Sequence, residues 1–124
     1  MPSIDEIPTP ALVLDLDVLE SNIAAMAAWA KERGVGLRPH AKTHKCATLG
    51  QRQIAAGALG LCCTKVGEAE ALAAAGIDRI AITAPVLTPA RIDRLMALNQ
   101  QIELSAVVDE PGNAGELAAA AAAA

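Results

Sequence analysis

Apolar positions recur along this chain in two alternating rhythms: short Val-, Ile- and Leu-rich runs, then longer stretches at helical spacing. TPALVLDL (9–16) predicts a strand. Asp17, with Glu20 three residues on, has the pattern of a capping box and opens a helix from about Val18 to Arg33 that stops at Gly34. VGLRPHAK (35–42) predicts a second strand, and a helix near 46–56 ends at Gly57. LGLCCTKV (59–66) reads as a strand and EAEALAAA (68–75) as a helix closed by Gly76. RIAIT (79–83) is the next strand. Thr88 and Pro89 then take the N-cap and first helical positions of a helix reaching about Asn99. IELSAVVD (102–109) is the last strand, and Asn113 with Glu116 opens a final helix that runs into the alanines of 118–124.

Strands alternating with helices predict an α/β fold with parallel strands joined by crossovers. Two architectures fit: an open doubly wound sheet, or part of an eight-stranded α/β barrel. A complete barrel needs about 250 residues, and this chain has 124.

Composition narrows the functions. Apolar residues reach 53%, with alanine the largest contributor, no Phe or Tyr, and Trp29 the one aromatic of that class. No run is long enough for a membrane span, and the acidic, Pro-rich start MPSIDEIPTP reads as no signal peptide. A cytoplasmic location is the expectation. The net charge is −4 with both signs interspersed, which offers nucleic acid neither a basic face nor stacking aromatics. Cys46, Cys62 and Cys63 are an odd set, two of them adjacent, and fit reduced thiols.

The stretch LRPHAKTHK (37–45) breaks the apolar pattern. In a strand over 35–42, Val35, Leu37, Pro39 and Ala41 share one face, and Gly36, Arg38, His40 and Lys42 share the other. A strand buried between two helix layers reads apolar on both faces; this one must meet something ionic or solvated on its second face. Lys42 falls at the carboxyl end, where α/β folds place their sites, and its amine is expected to project into a cavity. An amine held against an apolar wall beside other cations is available to condense with an aldehyde. A sugar phosphate and pyridoxal phosphate both satisfy that chemistry. A solvated lysine cap is the plainer alternative.

Other candidates carry less. His40 and His44 stand four apart but straddle Pro39 and a strand end, so no helix aligns them on a metal. Arg38 suits either an anionic ligand or a carboxylate from another strand. Cys62 and Cys63 point one to each face as small residues. Thr64 and Lys65 fall near a site at their strand's carboxyl end, with pairing of Lys65 to Glu68 or Glu70 the plainer alternative; those acids favour the start of a helix. Asp109 ends the last strand. No glycine pattern supports nucleotide binding.

RPHAKTHKC (38–46), GLCCTKVGEAEAL (60–72), AAGIDRIAI (74–82) and the entry TPALVLDLDVLESNI (9–23) together resemble the D-threonine aldolase family, and more distantly D-serine dehydratases and alanine racemases of the same fold. The resemblance covers about Thr9 to Asp109. It implies the N-terminal half of a pyridoxal-phosphate-binding (β/α)8 barrel, with 1–124 a partial barrel domain of a longer chain. It implies a Schiff-base lysine directly after RPHA, at Lys42. Strand parity and the strand end favour Lys42 over Lys45, and parity puts His40 and Arg38 on the same side, toward the cofactor. The implied reaction is retro-aldol cleavage of β-hydroxy-D-amino acids, D-threonine giving glycine and acetaldehyde. A divalent cation, manganese or magnesium, is expected to assist, with ligands outside this chain. A dehydratase or racemase is the runner-up, although a racemase needs a tyrosine that this chain lacks. The rival of another class is a non-catalytic doubly wound binding module. A receiver of this size needs acidic strand ends, where this chain has Lys42 and Thr64. Half a barrel also leaves an open edge, so a longer chain or a self-associating half, a dimer, is expected.

Overall fold

Alternation across short strands decides which side of this molecule is buried. In the computed structural model, which describes residues 3–124, the strands β1 (Leu61–Cys63), β2 (Arg79–Ile82) and β3 (Glu103–Ala106) lie side by side in that order, all parallel. Leu61 pairs with Ile80 and Cys63 with Ile82, so these four share one face, and all are buried. Two of the helices cross over that face. In α3 (Val66–Ala74), Val66, Ala69 and Leu72 are buried, and in α4 (Pro89–Asn99), Ile92, Leu95 and Leu98. Both sets repeat every three residues, which brings them to one helical stripe against the sheet. The remaining helices are α1 (Leu16–Glu32), α2 (Ala47–Ala55) and α5 (Pro111–Ala123). The alternating α/β architecture with parallel strands is as expected.

The opposite face has no helix on it. Cys62, Ala81 and Ser105 stand in one row there, and Arg79 faces Glu103 in the row below, joined at 3.1 Å. β3 has no strand beyond it among the described residues. Gly60 is required where the chain enters β1: a Cβ there would lie 2.3 Å from the Arg79 carbonyl oxygen. Gly76, with φ +88, closes α3 in the left-handed region that glycine enters freely.

Two expected strands do not form. Residues 9–15 stay outside any helix or strand, with Leu12, Val13 and Leu14 exposed. A strand needs a neighbour to pair with and a face to bury, and this segment finds neither. Asp15, rather than Asp17, caps α1, accepting from the Val18 N–H at 3.0 Å. Residues 35–40 do run beside β1: the Leu37 and Pro39 carbonyls accept from the Leu59 and Cys62 N–H groups at 2.8 and 2.7 Å, and His40 bridges Cys62 in parallel. Pro39 has no N–H to return, so the ladder stays incomplete. The chain then turns into a 3-10 helix, Ala41–Thr43, before a strand can lengthen.

The last helix also opens differently. Glu110 is its cap, accepting from Gly112 and Asn113 N–H at 2.9 and 3.0 Å, and Pro111 takes the first position. Asn113 is buried inside the helix and donates from Nδ2 to the Val86 carbonyl at 2.9 Å, pinning α5 to the loop after β2. No described helix is long and apolar enough to cross a membrane.

Gly60→Ala is expected to lower unfolding stability by about 1–3 kcal/mol, the range for forcing atoms into a packed site. Ile80→Ala should cost about 2–5 kcal/mol. Denaturant titrations with unchanged m-values check both.

Candidate active site

The edge segment at 37–40 and the 3-10 turn after it place the sequence-predicted residues at the carboxyl end of the sheet. The pleat puts Ala41, 3% exposed, down among Cys63, Val66 and Leu72 in the core. His40 therefore faces the opposite way, in the row of Cys62, Ala81 and Ser105. Arg38, two residues earlier, comes near enough to Cys62 for its charge to act on the thiol. It makes no ion pair among the described residues.

His40 caps the turn. Its Nδ1 accepts from the Lys42 N–H at 3.2 Å, so that nitrogen carries no proton. That acceptor role assigns the ring proton to Nε2, which lies 3.0 Å from Thr83 Oγ1 and in this tautomer donates to it. The Thr83 hydroxyl passes its own hydrogen to the Cys63 carbonyl at 3.0 Å. Three further bonds close the turn: Thr43 Oγ1 to the His40 carbonyl at 3.2 Å, and the His44 and Lys45 N–H groups to the Ala41 carbonyl at 3.2 and 2.7 Å.

Lys42 stands exposed at this end, with no carboxylate paired to its ammonium among the described residues. It is not among the residues lining the main clefts. The cavity expected around it needs an opposing wall, and three strands with one edge segment do not curve far enough to make one. Lys45 has a different fate. Its φ of +48 puts it in the left-handed region, and its ammonium pairs with Glu68 at 3.3 Å on the helix side of the sheet. Glu68 also accepts from the Thr64 N–H at 2.9 Å. Lys65 does not pair with Glu68 or Glu70 among the described residues, because Lys45 takes Glu68 and Arg94 takes Glu70 at 2.8 Å. It stands at the N-cap position of α3, its carbonyl accepting from the Glu68 and Ala69 N–H groups. A cleft of about 490 Å³ beside these residues is lined by Lys45, Thr64, Lys65, Glu68, Arg91 and Arg94.

His44 turns away from the site. Its Nδ1 accepts from Cys46 N–H at 3.1 Å, and its buried Nε2 finds no partner among the described residues. Cys62 and Cys63 do point one to each face. Burial raises both thiols, against the charge of Arg38 for Cys62; Cys63, with Glu68 adding to the effect, is pushed up to about 11. Neither is a ready nucleophile. Asp109 is exposed.

Two participants escaped the sequence reading. Thr83 ends RIAIT, and its position at a carboxyl strand end was the signal available. Glu68 passed as a helix-start acid; nothing local told that Lys45 would turn back to meet it.

The family described as alanine racemase, N-terminal domain, matches residues 14–124. The chain belongs to that family. It is 46% identical over 112 residues to a D-threonine aldolase of Arthrobacter sp, covering 90% of this chain and 30% of that protein. The crystal structure of D-threonine aldolase from Filomicrobium marinum superposes with a TM-score of 0.94 at 42% identity, over 97% of this chain and 32% of the other. A metal-free form of a D-threo-3-hydroxyaspartate dehydratase mutant follows at TM-score 0.87 and 36% identity, over 96% and 31%. The alanine racemase-type chain thus spans about a third of the length of these relatives.

Glu68 is held below the ordinary carboxylate range, chiefly by the Thr64 N–H, against the opposing effect of burial and with further help from Lys45. Its contribution is complete above about pH 4.3, the unperturbed glutamate value, and is lost as pH falls through the lowered one. Glu68→Gln should therefore reduce stability by up to about 1 kcal/mol near neutrality, and the gap from wild type should close on acidification. Thermal unfolding across that window reads both.

Proposed function

We propose that this chain is the lysine-bearing part of a pyridoxal-phosphate-dependent lyase acting on β-hydroxy-D-amino acids, with D-threonine cleaved to glycine and acetaldehyde as the leading reaction. The observation that carries the reading is Lys42: an amine on a capped turn at the carboxyl end of a parallel sheet, with no carboxylate to neutralise it. The names of the aldolase and dehydratase relatives share a D-amino acid bearing a β-hydroxyl, which is the substrate class proposed here.

The donor set fits the cofactor. Lys42 is the one lysine of the RPHAKTHK stretch that no acid occupies, since Lys45 is committed to Glu68. Arg38, unpaired, offers positive charge to an anionic group over the face. Cys62, Ala81 and Ser105 form a floor of small side chains that leaves space above it for a planar ring. Both ring nitrogens of His40 are engaged, so its part on the cofactor side is to present the imidazole face and hold the turn. Pyridoxal phosphate, when bound, supplies an aldehyde for Lys42 and an electron sink for the pair left at Cα as the Cα–Cβ bond breaks. Lys42 anchors and orients; Arg38 balances charge.

A divalent cation is expected of the whole protein. Among the described residues no group of three His, Cys, Asp or Glu is placed to hold one, so no step is assigned to a metal here. The chain spans about a third of its relatives' length, so no strand, phosphate loop or subunit contact is assigned beyond the described residues. The dehydratase likeness supports a second reading, loss of the β-hydroxyl as water, on the same lysine.

In the full-length protein, borohydride should trap pyridoxal phosphate on a peptide carrying Lys42, and Lys42→Ala should abolish the adduct and lower turnover by at least about a thousandfold. Product analysis with D-threonine and D-threo-3-hydroxyaspartate, with and without a divalent cation, separates cleavage from dehydration. An adduct mapped to Lys45 would overturn the assignment. A chain that takes up no cofactor returns the non-catalytic module.

A further inference from the structure

The lysine of this site does not position itself: its side chain is long, exposed and in no ion pair among the described residues. What is fixed is its backbone. We infer that His40 and Thr83 act as a positioning pair that sets the direction of Lys42, and this rests on Lys42 being the cofactor lysine.

The chain of bonds is continuous and directional. The Cys63 carbonyl, at the end of β1, accepts from the Thr83 hydroxyl and also from the Thr83 N–H at 2.9 Å. Thr83 in turn accepts from His40 Nε2, and His40 Nδ1 accepts from the Lys42 N–H. Each group is used in the only sense its neighbours permit. A carbonyl cannot donate, so the hydroxyl hydrogen goes to Cys63; the hydroxyl oxygen is then left to accept, and His40 must bring its proton on Nε2. That tautomer frees Nδ1 to cap the turn. The lysine's main chain is thereby tied, through His40, to Thr83 at the end of β2, 43 residues on, and through Thr83 to the Cys63 carbonyl at the end of β1. Without the cap, the Lys42 N–H loses its partner, and the turn is left with the His44 and Lys45 N–H bonds to the Ala41 carbonyl and the Thr43 bond to the His40 carbonyl. The same turn separates Lys42 from Lys45, so its geometry also decides which of the two amines meets an incoming aldehyde.

The test uses the full-length protein. Long-range proton–nitrogen NMR on the cofactor-free wild type should find the His40 proton on Nε2. Borohydride trapping with peptide mapping then gives the rate of adduct formation at Lys42 and the ratio of adduct at Lys42 to Lys45. Thr83→Val keeps the shape and removes the hydroxyl. It should slow capture at Lys42 about tenfold, the scale of one lost hydrogen bond, and shift the ratio toward Lys45 at an unchanged melting temperature. Thr83→Ser should restore both. His40→Asn keeps a cap acceptor but cannot span to Thr83, and should fall between; combined with Thr83→Val it should be no worse than Thr83→Val alone. A proton on Nδ1, or variants that load Lys42 at the wild-type rate and ratio, overturns the pair while leaving Lys42 as the cofactor lysine. No adduct at Lys42 in the wild type overturns both, whatever the tautomer. Should Thr83→Val not fold, the NMR tautomer and His40→Asn still decide.

Discussion

The structure depends on one small event: Ala41 turning into the core while His40 turns out of it. Pleat geometry forces neighbours in an extended segment to opposite faces. Ala41 buried among Cys63, Val66 and Leu72 therefore fixes His40, and with it Arg38, on the uncovered side. A larger residue at position 41 would push the segment off β1. A polar one would bury an unsatisfied group at a cost of about 1–3 kcal/mol. The chemistry of the exposed face is thus set by packing on the hidden one.

Much of this could be read from the residues. The helices declared themselves by apolar spacing and by glycines at their ends, and Gly76 sits at the left-handed position its helix stop required. RIAIT and ELSA formed where β-branched and alternating residues predicted strands. What failed has a common cause. The runs 9–16 and 35–42 carry strand-like composition, but pairing is a property of two segments. The first finds no partner here; the second finds β1 and is then denied a full ladder by Pro39. Parity still sorted Arg38, His40 and Ala41 correctly, because an extended backbone alternates whether or not its hydrogen bonds are complete. Thr83 and Glu68 stayed hidden because their roles arise from contacts 43 and 23 residues away in sequence.

Two lysines three positions apart show how local geometry divides chemical labour. Lys45 accepts a left-handed backbone, a conformation that costs about 1–2 kcal/mol for a residue with a Cβ, and the Glu68 pair with the closing bond to Ala41 offsets it. Its charge is thereby satisfied and its amine occupied. Lys42 receives no such partner. Lys31, Lys65 and Arg91 likewise have no acid partner among the described residues, so lack of a partner alone does not mark Lys42. What sets it apart is its place on the turn at the carboxyl end of the sheet, just after Arg38 and His40.

An amine becomes a useful nucleophile only when its ammonium form is disfavoured, and solvent exposure works against that. The uncovered face therefore has to be read with its floor. Cys62, Ala81 and Ser105 are too small to make a packed interface of their own, and too weakly polar to justify full hydration of a sheet face. Leucines in those places would have marked a core awaiting another sheet; lysines and glutamates would have marked a surface. Small, mixed side chains beside His40 and Arg38 fit the floor of a site better than either a core or a surface, in line with the ligand proposed above. On this reading the described residues provide attachment and charge balance, and desolvation comes from the wall that faces them. That division explains how an amine can be held in place by His40 and Thr83 while the environment that activates it is supplied from elsewhere in the barrel.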